Sequence, residues 1–231
     1  MIEAKNLTYT YPNGVPALAD VSFRLEEKRR YALVGANGAG KSTLMSLLCA
    51  LEFPQAGRVF IDGMPVDKIN AARARAKIGM VFQNPDDQLF MPTVWDDVAF
   101  GLRNRSMTRD EEEAKVWAIL EGMGIAHLKD RQTYRLSGGE KRQVALACVL
   151  VMEPKTLLMD EPTTFLDPRA RRAFLAQMKA LEVGMLVATH DLSFAQAFAD
   201  EVLILKEGRL IGLYGPERLL DETLLAEALL L

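Results

Sequence analysis

Short apolar segments with strand-like spacing dominate the first third of the chain. Ile2–Thr10 alternates loosely between apolar and polar positions, and Val21–Leu25 follows a turn signal of proline, asparagine and glycine. Arg30–Val34 is apolar up to a glycine-rich loop, after which Lys41–Leu51 has the period of a helix. Two further strands are predicted, at Arg58–Ile61 and Ile78–Phe82.

Between residues 85 and 152 the hydrophobic pattern is typical of helices rather than strands. Arg109–Met123 is amphipathic and Glu140–Met152 is strongly apolar, so we expect a helical lobe inserted into a single domain that spans residues 1–231. After the lobe, Thr156–Met159 and Met185–Thr189 are continuous apolar runs of strand length. The helix-like segment Pro168–Leu181 lies between them, which predicts a βαβ unit.

The composition places the chain among globular proteins. Hydrophobic residues make up 49% and charged residues 26% of its 231 residues, and the net charge of −3 gives no global field that would attract nucleic acid. No apolar run approaches the roughly 18 residues of a membrane span, and Met1-Ile2-Glu3 does not begin a signal peptide. Cys49 and Cys148 lie in apolar stretches and are predicted to be free thiols. We therefore expect a cytoplasmic protein, with a partner for any membrane role.

One segment matches the phosphate-loop pattern G-x-x-x-x-G-K-[ST] and lies between an apolar strand and a helix, as that pattern requires. Its glycines let successive backbone N–H groups converge on phosphate oxygens, and the helix N-terminus adds partial positive charge. The pattern assigns Lys41 to the β- and γ-phosphates and the Ser42 hydroxyl to Mg²⁺. An ordinary glycine turn is the alternative. The predicted site comprises Gly35, Ala36, Asn37, Gly38, Ala39, Gly40, Lys41, Ser42 and Thr43.

Two acidic residues, Asp160 and Glu161, follow the apolar run Thr156–Met159. A phosphate loop needs a carboxylate at the same edge of the sheet, and Asp160 is placed to hold Mg²⁺ through water. Glu161 can accept a proton from the attacking water. The alternative is that these acids merely end a strand, and the presence of a phosphate loop in the same chain makes the functional interpretation the favoured one.

A pair of glycines precedes the second apolar helix. Ser137 and Glu140 have the S-x-x-E spacing of a capping box, which alone explains their presence. Gly138 and Gly139 leave backbone N–H groups free of side-chain cover, which also fits a second anion site. One nucleotide can use both anion sites only if they meet, so the functional alternative is a twofold dimer that sandwiches two nucleotides.

Together these residues resemble the nucleotide-binding domain of ATP-binding cassette (ABC) proteins over nearly the whole chain. The resemblance implies an α/β fold, a P-loop NTPase of ABC type with a mixed sheet core, an antiparallel β subdomain and the inserted helical lobe. It also implies binding of ATP and Mg²⁺ and hydrolysis of ATP. The family's motifs occur here in the family's order, at residues 35–43, Gln83, Leu136–Glu140, Asp160, Glu161, Asp167 and His190.

The resemblance also implies roles for single residues. Gln83 would touch Mg²⁺ and the attacking water, and His190 would contact the γ-phosphate. Tyr11 resembles the aromatic residue that stacks on adenine, although Tyr9 is close by and both could be sheet residues. Asp167 would lie in the dimer interface. The ATP held by one subunit would be contacted from the other by Ser137, Gly138, Gly139 and Glu140.

Residues 81–101 resemble a particular branch, the ATPases of energy-coupling-factor transporters, which import cobalt, nickel, biotin or other vitamins. This resemblance implies a homodimer, or a heterodimer with a paralogous ATPase, at the cytoplasmic face of the inner membrane. Its partners would be a transmembrane coupling protein and a membrane-embedded substrate-binding subunit. The ATPase of another ABC importer or exporter, or a non-transport ABC protein, is the alternative. Four apolar residues in this segment have two possible roles. They form either a surface that docks helices of the coupling protein or the core of the helical lobe: Leu89, Phe90, Met91 and Trp95.

Two positions depart from the family pattern. Lys28-Arg29-Arg30 stands where a Gly-Glu turn is usual, and Phe165 replaces the small residue common before the Leu-Asp of the aspartate loop. Neither would touch phosphate. Phe165 would instead change how the dimer interface packs.

Overall fold

The computed structural model describes residues 1–103, 105–164, 166–228 and 230, and the chain divides into two compact units. The first unit contains Met1–Ile78 and Lys155–Leu231, and the second contains Gly79–Pro154. The helical lobe predicted at residues 85–152 falls within the second unit. Phe165 lies outside the described residues.

The elements alternate between strands and helices along the chain. In chain order the strands are β1 (Ile2–Thr10), β2 (Pro16–Leu25), β3 (Arg30–Val34), β4 (Ala56–Ile61), β5 (Met64–Pro65), β6 (Ile78–Val81), β7 (Thr156–Asp160), β8 (Gly184–Thr189), β9 (Glu201–Lys206) and β10 (Arg209–Tyr214). The α-helices are α1 (Lys41–Leu48), α2 (Ala71–Arg75), α3 (Val94–Phe100), α4 (Arg109–Gly122), α5 (Gly138–Leu150), α6 (Pro168–Ala180), α7 (Leu192–Phe198) and α8 (Glu222–Glu227). Short 3₁₀ helices occupy Pro85–Asp87, Ala126–Leu128, Thr133–Arg135 and Pro216–Leu220.

The strands of the first unit lie in two sheets, one antiparallel and one mixed. The antiparallel sheet has the order β2-β1-β4-β5, and the first unit supplies β10-β9-β3-β8-β7 to the mixed sheet. In the mixed sheet β3 pairs in parallel with β8 and β9, β7 pairs in parallel with β8, and β9 and β10 are antiparallel. The predicted mixed core, antiparallel subdomain and βαβ unit (β7, α6, β8) are confirmed.

The parallel strands explain where the candidate site forms. Every residue of β8 is buried, as are Tyr31–Val34 of β3, because such strands are covered on both faces. Parallel strands end at the same edge of a sheet, so the loops that follow β3, β7 and β8 lie together. Residues that are far apart in sequence therefore meet at that edge.

The second unit has an apolar core of its own, between α3, α4 and α5. Each of these helices begins at a hydroxyl cap, and the caps at Thr108 and Ser137 are complete capping boxes. The capping box predicted at Ser137 and Glu140 is thereby confirmed. The fully buried side chains of the core include Val94, Val98, Leu102, Val116, Leu120 and Val144.

The predicted apolar surface of the second unit is divided between core and exterior. Leu89 belongs to the core, so of the two alternatives for this residue the core of the helical lobe is confirmed and the docking surface is not. Phe90 is 64% exposed and meets the ring of Phe100 edge-on, with centroids 4.8 Å apart. Met91 is partly buried, and Trp95 packs against the core. The hydrophobic pattern could not separate these positions because the segment before α3 is not a regular helix.

Several predicted boundaries shift for local reasons. Helix α1 ends at Leu48 rather than Leu51, and Ala50 has a positive φ of 55° that a continuing helix cannot accommodate. Strand β2 begins at Pro16, five residues before the predicted start, since proline is tolerated at the first residue of a strand. Lys28 has φ of 58°, in the left-handed region that favours glycine.

The described part of the chain contains no helix that is both long enough and apolar enough to cross a membrane. Cys49 and Cys148 are free thiols, as predicted.

Candidate active site

The glycine loop joins β3 to α1, and close backbone approaches require glycine in it. A Cβ on Gly35 would lie 2.4 Å from the carbonyl oxygen of Leu205, and one on Gly40 would lie 2.6 Å from that of Ala17. Gly40 also has φ of 102° and Gly38 has φ of 81°, both in the left-handed region. Among the described residues no side chain caps the first turn of α1, so its N–H groups stay available to an anion.

The middle of the loop is exposed at its tip and buried where it returns to α1. Asn37 and Gly38 are exposed at its tip, Ala36 is partly buried and Ala39 is buried. The Ala39 N–H donates to the Ala36 carbonyl oxygen at 3.1 Å, which closes the turn. The loop is therefore folded back on itself next to the start of α1.

Lys41 is buried, and its ammonium lies inside the curve of the loop. Its Nζ donates to the Gly35 carbonyl oxygen at 2.7 Å and to the Ala36 carbonyl oxygen at 3.2 Å. Burial lowers the pKa of Lys41, and the charges of Glu161 and Asp160 oppose that shift. Among the described residues, the acceptors at hydrogen-bonding distance from the ammonium are thus two neutral carbonyl oxygens, although two carboxylates act on it electrostatically.

Tyr11 lies beside the start of α1, whereas Tyr9 is part of the core. Tyr9 is 4% exposed and Tyr11 is 39% exposed, and their rings meet edge-on with centroids 5.2 Å apart. The Tyr11 hydroxyl is 2.6 Å from Oγ1 of the buried Thr43. Of the two tyrosines, only Tyr11 has a face available to a ligand, which supports the choice of Tyr11 over Tyr9.

Asp160 ends β7 opposite the exposed Ser42 of α1. Burial raises the pKa of Asp160, and a hydrogen bond with Ser42 opposes the rise. The neighbouring charge of Glu161 adds to the rise and that of Lys41 opposes it. A hydroxyl and a carboxylate oxygen are thereby brought together next to the loop.

Glu161 is buried at the end of β7 in a strained backbone conformation, with φ of 46°. Its N–H donates to the Ala188 carbonyl oxygen at 2.8 Å, which fixes the turn against β8. Its Oε2 accepts from Thr189 Oγ1 at 3.2 Å and from the His190 N–H at 3.4 Å, and lies 2.9 Å from His190 Nδ1. The structure thus joins two predicted residues, Glu161 and His190, directly.

Asp167 caps α6. Its Oδ1 accepts from the N–H groups of Arg169 and Ala170, each at 2.8 Å. The residue is exposed, so the cap leaves it accessible on the surface of the first unit.

The other predicted residues belong to the second unit. Gln83 is exposed, two residues beyond the end of β6. Ser137 Oγ accepts from the Glu140 N–H at 3.3 Å, and Glu140 Oε2 accepts from the Ser137 N–H at 2.8 Å. Hydrogen bonds from the Ser137 backbone, and then from its side chain, lower the pKa of Glu140. Gly138 and Gly139 are exposed, so the capping box accounts for Ser137 and Glu140 while both glycines stay open.

Sequence reasoning missed Thr189, which is fully buried and donates to Glu161. It also missed Asp191, whose N–H donates to Thr189 Oγ1 at 3.0 Å. The only signal was that both residues flank His190. Nothing local marks a threonine at a strand end as a hydrogen-bond donor to a residue on another strand.

Comparisons with known proteins agree on one family. The sequence model of the ABC transporter family matches residues 18–164. The energy-coupling factor transporter ATP-binding protein EcfA of Methanothermobacter thermautotrophicus is 43% identical over 217 residues, covering 92% of this chain and 70% of that protein. CbiO1 from Clostridium perfringens, described as part of the ABC transporter complex CbiONQ, has a TM-score of 0.86 at 38% identity, covering 96% of this chain and 91% of its own. A dimeric ATP-binding cassette in a post-hydrolysis state, bound to ADP and phosphate, has a TM-score of 0.84 at 27% identity, covering 94% and 99% of the two chains.

Proposed function

The chain belongs to the ABC transporter family and is an ATPase, and from that premise we propose that it powers an importer of the energy-coupling-factor type. The observation that carries this proposal is the resemblance of residues 81–101 to the ATPases of such importers. The similarity to EcfA and CbiO1 supports it. The transported solute would be a metal ion, cobalt or nickel, or a vitamin such as biotin.

The glycine loop and Lys41 would bind the phosphates of ATP. Lys41 donates to two loop carbonyls, and phosphate oxygens are stronger acceptors for an ammonium because they carry charge. The uncapped N–H groups of α1 would hold the same phosphates, and Tyr11 would stack on adenine. ATP would thus provide charged acceptors for the Lys41 ammonium, which here has neutral ones, and for the uncapped N–H groups of α1.

The oxygen atoms of Ser42 and Asp160 fit Mg²⁺. Mg²⁺ prefers oxygen ligands and is usually held by one or two protein groups together with substrate phosphates. The two side chains already meet in a hydrogen bond, and Gln83 would supply a further oxygen. When bound, the ion would neutralise charge on the β- and γ-phosphate oxygens.

Glu161 would accept the proton of the attacking water. Its described contacts with Thr189 and His190 all use Oε2, which orients the carboxylate and leaves Oε1 for the water. His190, whose side chain is 62% exposed, would contact the γ-phosphate. Hydrolysis then depends on the position of these two side chains rather than on covalent chemistry by the protein.

A second ATPase subunit would complete each site. The exposed Ser137, Gly138 and Gly139 would contact the ATP held by the opposite subunit, and Asp167 would lie in the interface. Since one chain carries both halves of the composite site, a homodimer has two competent sites by symmetry. A heterodimer with a paralogous ATPase satisfies the same arrangement.

The exposed rings of Phe90 and Phe100 would dock the transmembrane coupling protein. The backbone before α3 is held rigidly, because Asp97 Oδ1 accepts from the N–H groups of Phe90 at 3.2 Å and Met91 at 3.1 Å. Thr133 Oγ1 donates to the Met91 carbonyl oxygen at 2.9 Å. Paired aromatic rings on a fixed backbone are suited to an apolar partner surface. The chain would thus sit peripherally at the cytoplasmic face of the membrane.

Substitution of Glu161 by glutamine tests the catalytic assignment. We expect ATP binding to persist and turnover to fall by about 10²- to 10⁴-fold, giving a dimer that ATP stabilises. Lys41→Ala should instead weaken ATP binding. Binding and turnover are measured separately on the purified chain, and wild-type turnover in Glu161→Gln would remove Glu161 as the base.

Co-purification tests the importer assignment. The tagged chain is isolated from its host membranes in mild detergent, and we expect a small coupling protein together with a compact substrate-binding membrane protein. Phe90→Asp should lose both partners while keeping the ATPase activity of the isolated chain. Ile69→Asp is the matched control, because Ile69 is 90% exposed in the first unit. Recovery of an exporter membrane domain, or of soluble repair or ribosomal factors alone, would refute the assignment.

A further inference from the structure

An ion pair joins α6 to the loop that follows β8. Arg171 Nη1 lies 2.6 Å from Asp191 Oδ2, and the two side chains are 43% and 14% exposed. Arg171 is in the first turn of α6, where its N–H donates to the carbonyl oxygen of the capping residue Asp167. Asp191 directly follows His190. The pair therefore connects the segment bearing Asp167 with the segment bearing His190.

Asp191 is fixed by further contacts that lead to Glu161. Its Oδ1 accepts from the Phe194 N–H at 3.0 Å and caps α7, and its own N–H donates to Thr189 Oγ1 at 3.0 Å. Thr189 in turn donates to Glu161 Oε2 at 3.2 Å. A continuous chain of polar contacts thus runs from Arg171 to Glu161, and His190 lies between its two fixed neighbours.

The geometry points to Arg171 as a positioning residue that makes α6 and the His190 segment move as one body. This inference rests on the proposed roles of Asp167 in the dimer interface and of His190 at the γ-phosphate. When Asp167 contacts the opposite subunit, the displacement of α6 passes through Arg171 and Asp191 to His190 and Glu161. Turnover therefore responds to Arg171, whereas ATP affinity resides in the glycine loop, with which Arg171 has no described contact.

The chemistry of the pair suggests how to test it. The described contact with Asp191 uses Nη1, and Arg171 Nε is buried without a hydrogen-bond partner among the described residues. A lysine ammonium can therefore supply the same single charged contact, although not a guanidinium's fork. An open cavity of about 400 Å³ beside the pair, lined by Arg171, His190 and Asp191 among others, gives substituted side chains room.

The experiment compares Arg171→Met, Arg171→Lys and Arg172→Met in the full-length chain. Arg172 is the matched control because it is the exposed arginine next along the same helix. We expect Arg171→Met to lower kcat about tenfold or more, because small displacements of reacting groups are costly, and to change the Kd for ATP by less than about twofold. Arg171→Lys should recover most of kcat, and Arg172→Met should match wild type. Adding Asp191→Asn to Arg171→Met should cost little further, since the two residues act as a unit.

Each outcome separates the inference from the function on which it rests. If Arg171→Met has wild-type kcat while Glu161→Gln is inactive, the role of Arg171 is refuted and the catalytic assignment of Glu161 is retained. Equal losses of kcat and ATP affinity, without recovery by lysine, show a merely structural residue and also overturn it. Wild-type turnover in Glu161→Gln instead refutes the proposed site itself.

Discussion

Replacing Asp62 by asparagine tests an ion-pair cluster in the first unit. The cluster joins the residues just before and just after the second unit in sequence. The Asp62 carboxylate binds Lys77 Nζ at 2.7 Å, Lys155 Nζ at 3.1 Å and the Met1 ammonium at 2.9 Å. Lys77 stands just before the second unit and Lys155 just after it, and the Lys155 N–H donates to the Lys77 carbonyl oxygen at 2.8 Å. One carboxylate thus fastens residues from three distant parts of the sequence.

The expected loss of unfolding free energy follows from how exposed Asp62 and its partners are. Asp62 is 19% exposed, while Lys77, Lys155 and the N-terminus are 33%, 58% and 29% exposed. Pairs this close to solvent contribute up to about 1 kcal/mol each, so Asp62→Asn should lower the free energy of unfolding by about 2 kcal/mol. Lys77→Met should cost more than Lys155→Met, because Lys77 makes the shorter and less exposed contact.

The pH dependence has a definite sign. The hydrogen bond from Lys77, followed by those from the N-terminus and Lys155, lowers the pKa of Asp62, although partial burial opposes the shift. A folded-state pKa below the unfolded value of about 3.9 stabilises the protein above that pH, and the stabilisation is lost as pH falls toward the folded-state value. The penalty of Asp62→Asn should therefore be constant between about pH 5 and 8 and shrink below about pH 4.

Urea unfolding followed by far-ultraviolet circular dichroism measures the effect. Tryptophan fluorescence is unsuitable alone, because Trp95 and Trp117 both belong to the second unit. Asp130→Asn is the control, since Asp130 is 84% exposed and its 3.5 Å contact with Lys129 should contribute little. An Asp62→Asn penalty no larger than that of Asp130→Asn, or one that grows as pH falls, would refute the reasoning.

Two further predictions concern backbone and thiol chemistry. Gly40→Ala should destabilise the chain by about 1–3 kcal/mol more than Gly38→Ala in urea unfolding. Both glycines have positive φ, but only the Gly40 Cβ would meet the Ala17 carbonyl oxygen, at 2.6 Å. Equal losses of stability in the two variants would contradict this. Burial raises the pKa of Cys49 to about 12 and also raises that of Cys148, so both thiols should resist a thiol reagent at pH 8 until denaturant is added. Rapid labelling of the folded chain would contradict this, since Cys49 is buried and Cys148 is partly buried.

The sequence allowed the glycine loop, the parallel strands and the capping box to be predicted because each has a local signal. Gly35–Gly40 lies between an apolar strand and a helix, and the spacing of Ser137 and Glu140 is itself the motif. The ends of parallel strands could be placed at one edge from topology alone. The region of the candidate site therefore follows from patterns within short segments.

Contacts between distant residues could not be predicted in this way. Arg171 and Asp191 are on different elements, and the partners of Asp62 come from three separate segments. Helix α7 spans only Leu192–Phe198, which is too short for an amphipathic period to identify it. Leu89 is a core residue that follows the 3₁₀ helix Pro85–Asp87, and hydrophobicity alone does not distinguish it from the exposed Phe90 beside it.

The second unit also has a consequence for the entropy of the unfolded chain. Gly79 and Pro154 meet at its two ends, where a Cβ on Gly79 would lie 3.0 Å from Pro154 Cγ. Bringing together the ends of an unstructured loop as long as Gly79–Pro154 has a length-dependent free-energy cost of about 4 kcal/mol. A second unit that is already folded joins those ends through its own contacts, so the two segments of the first unit, Met1–Ile78 and Lys155–Leu231, can come together without that loss of chain entropy. Its core thereby lowers the barrier to assembling the sheet that carries the candidate site.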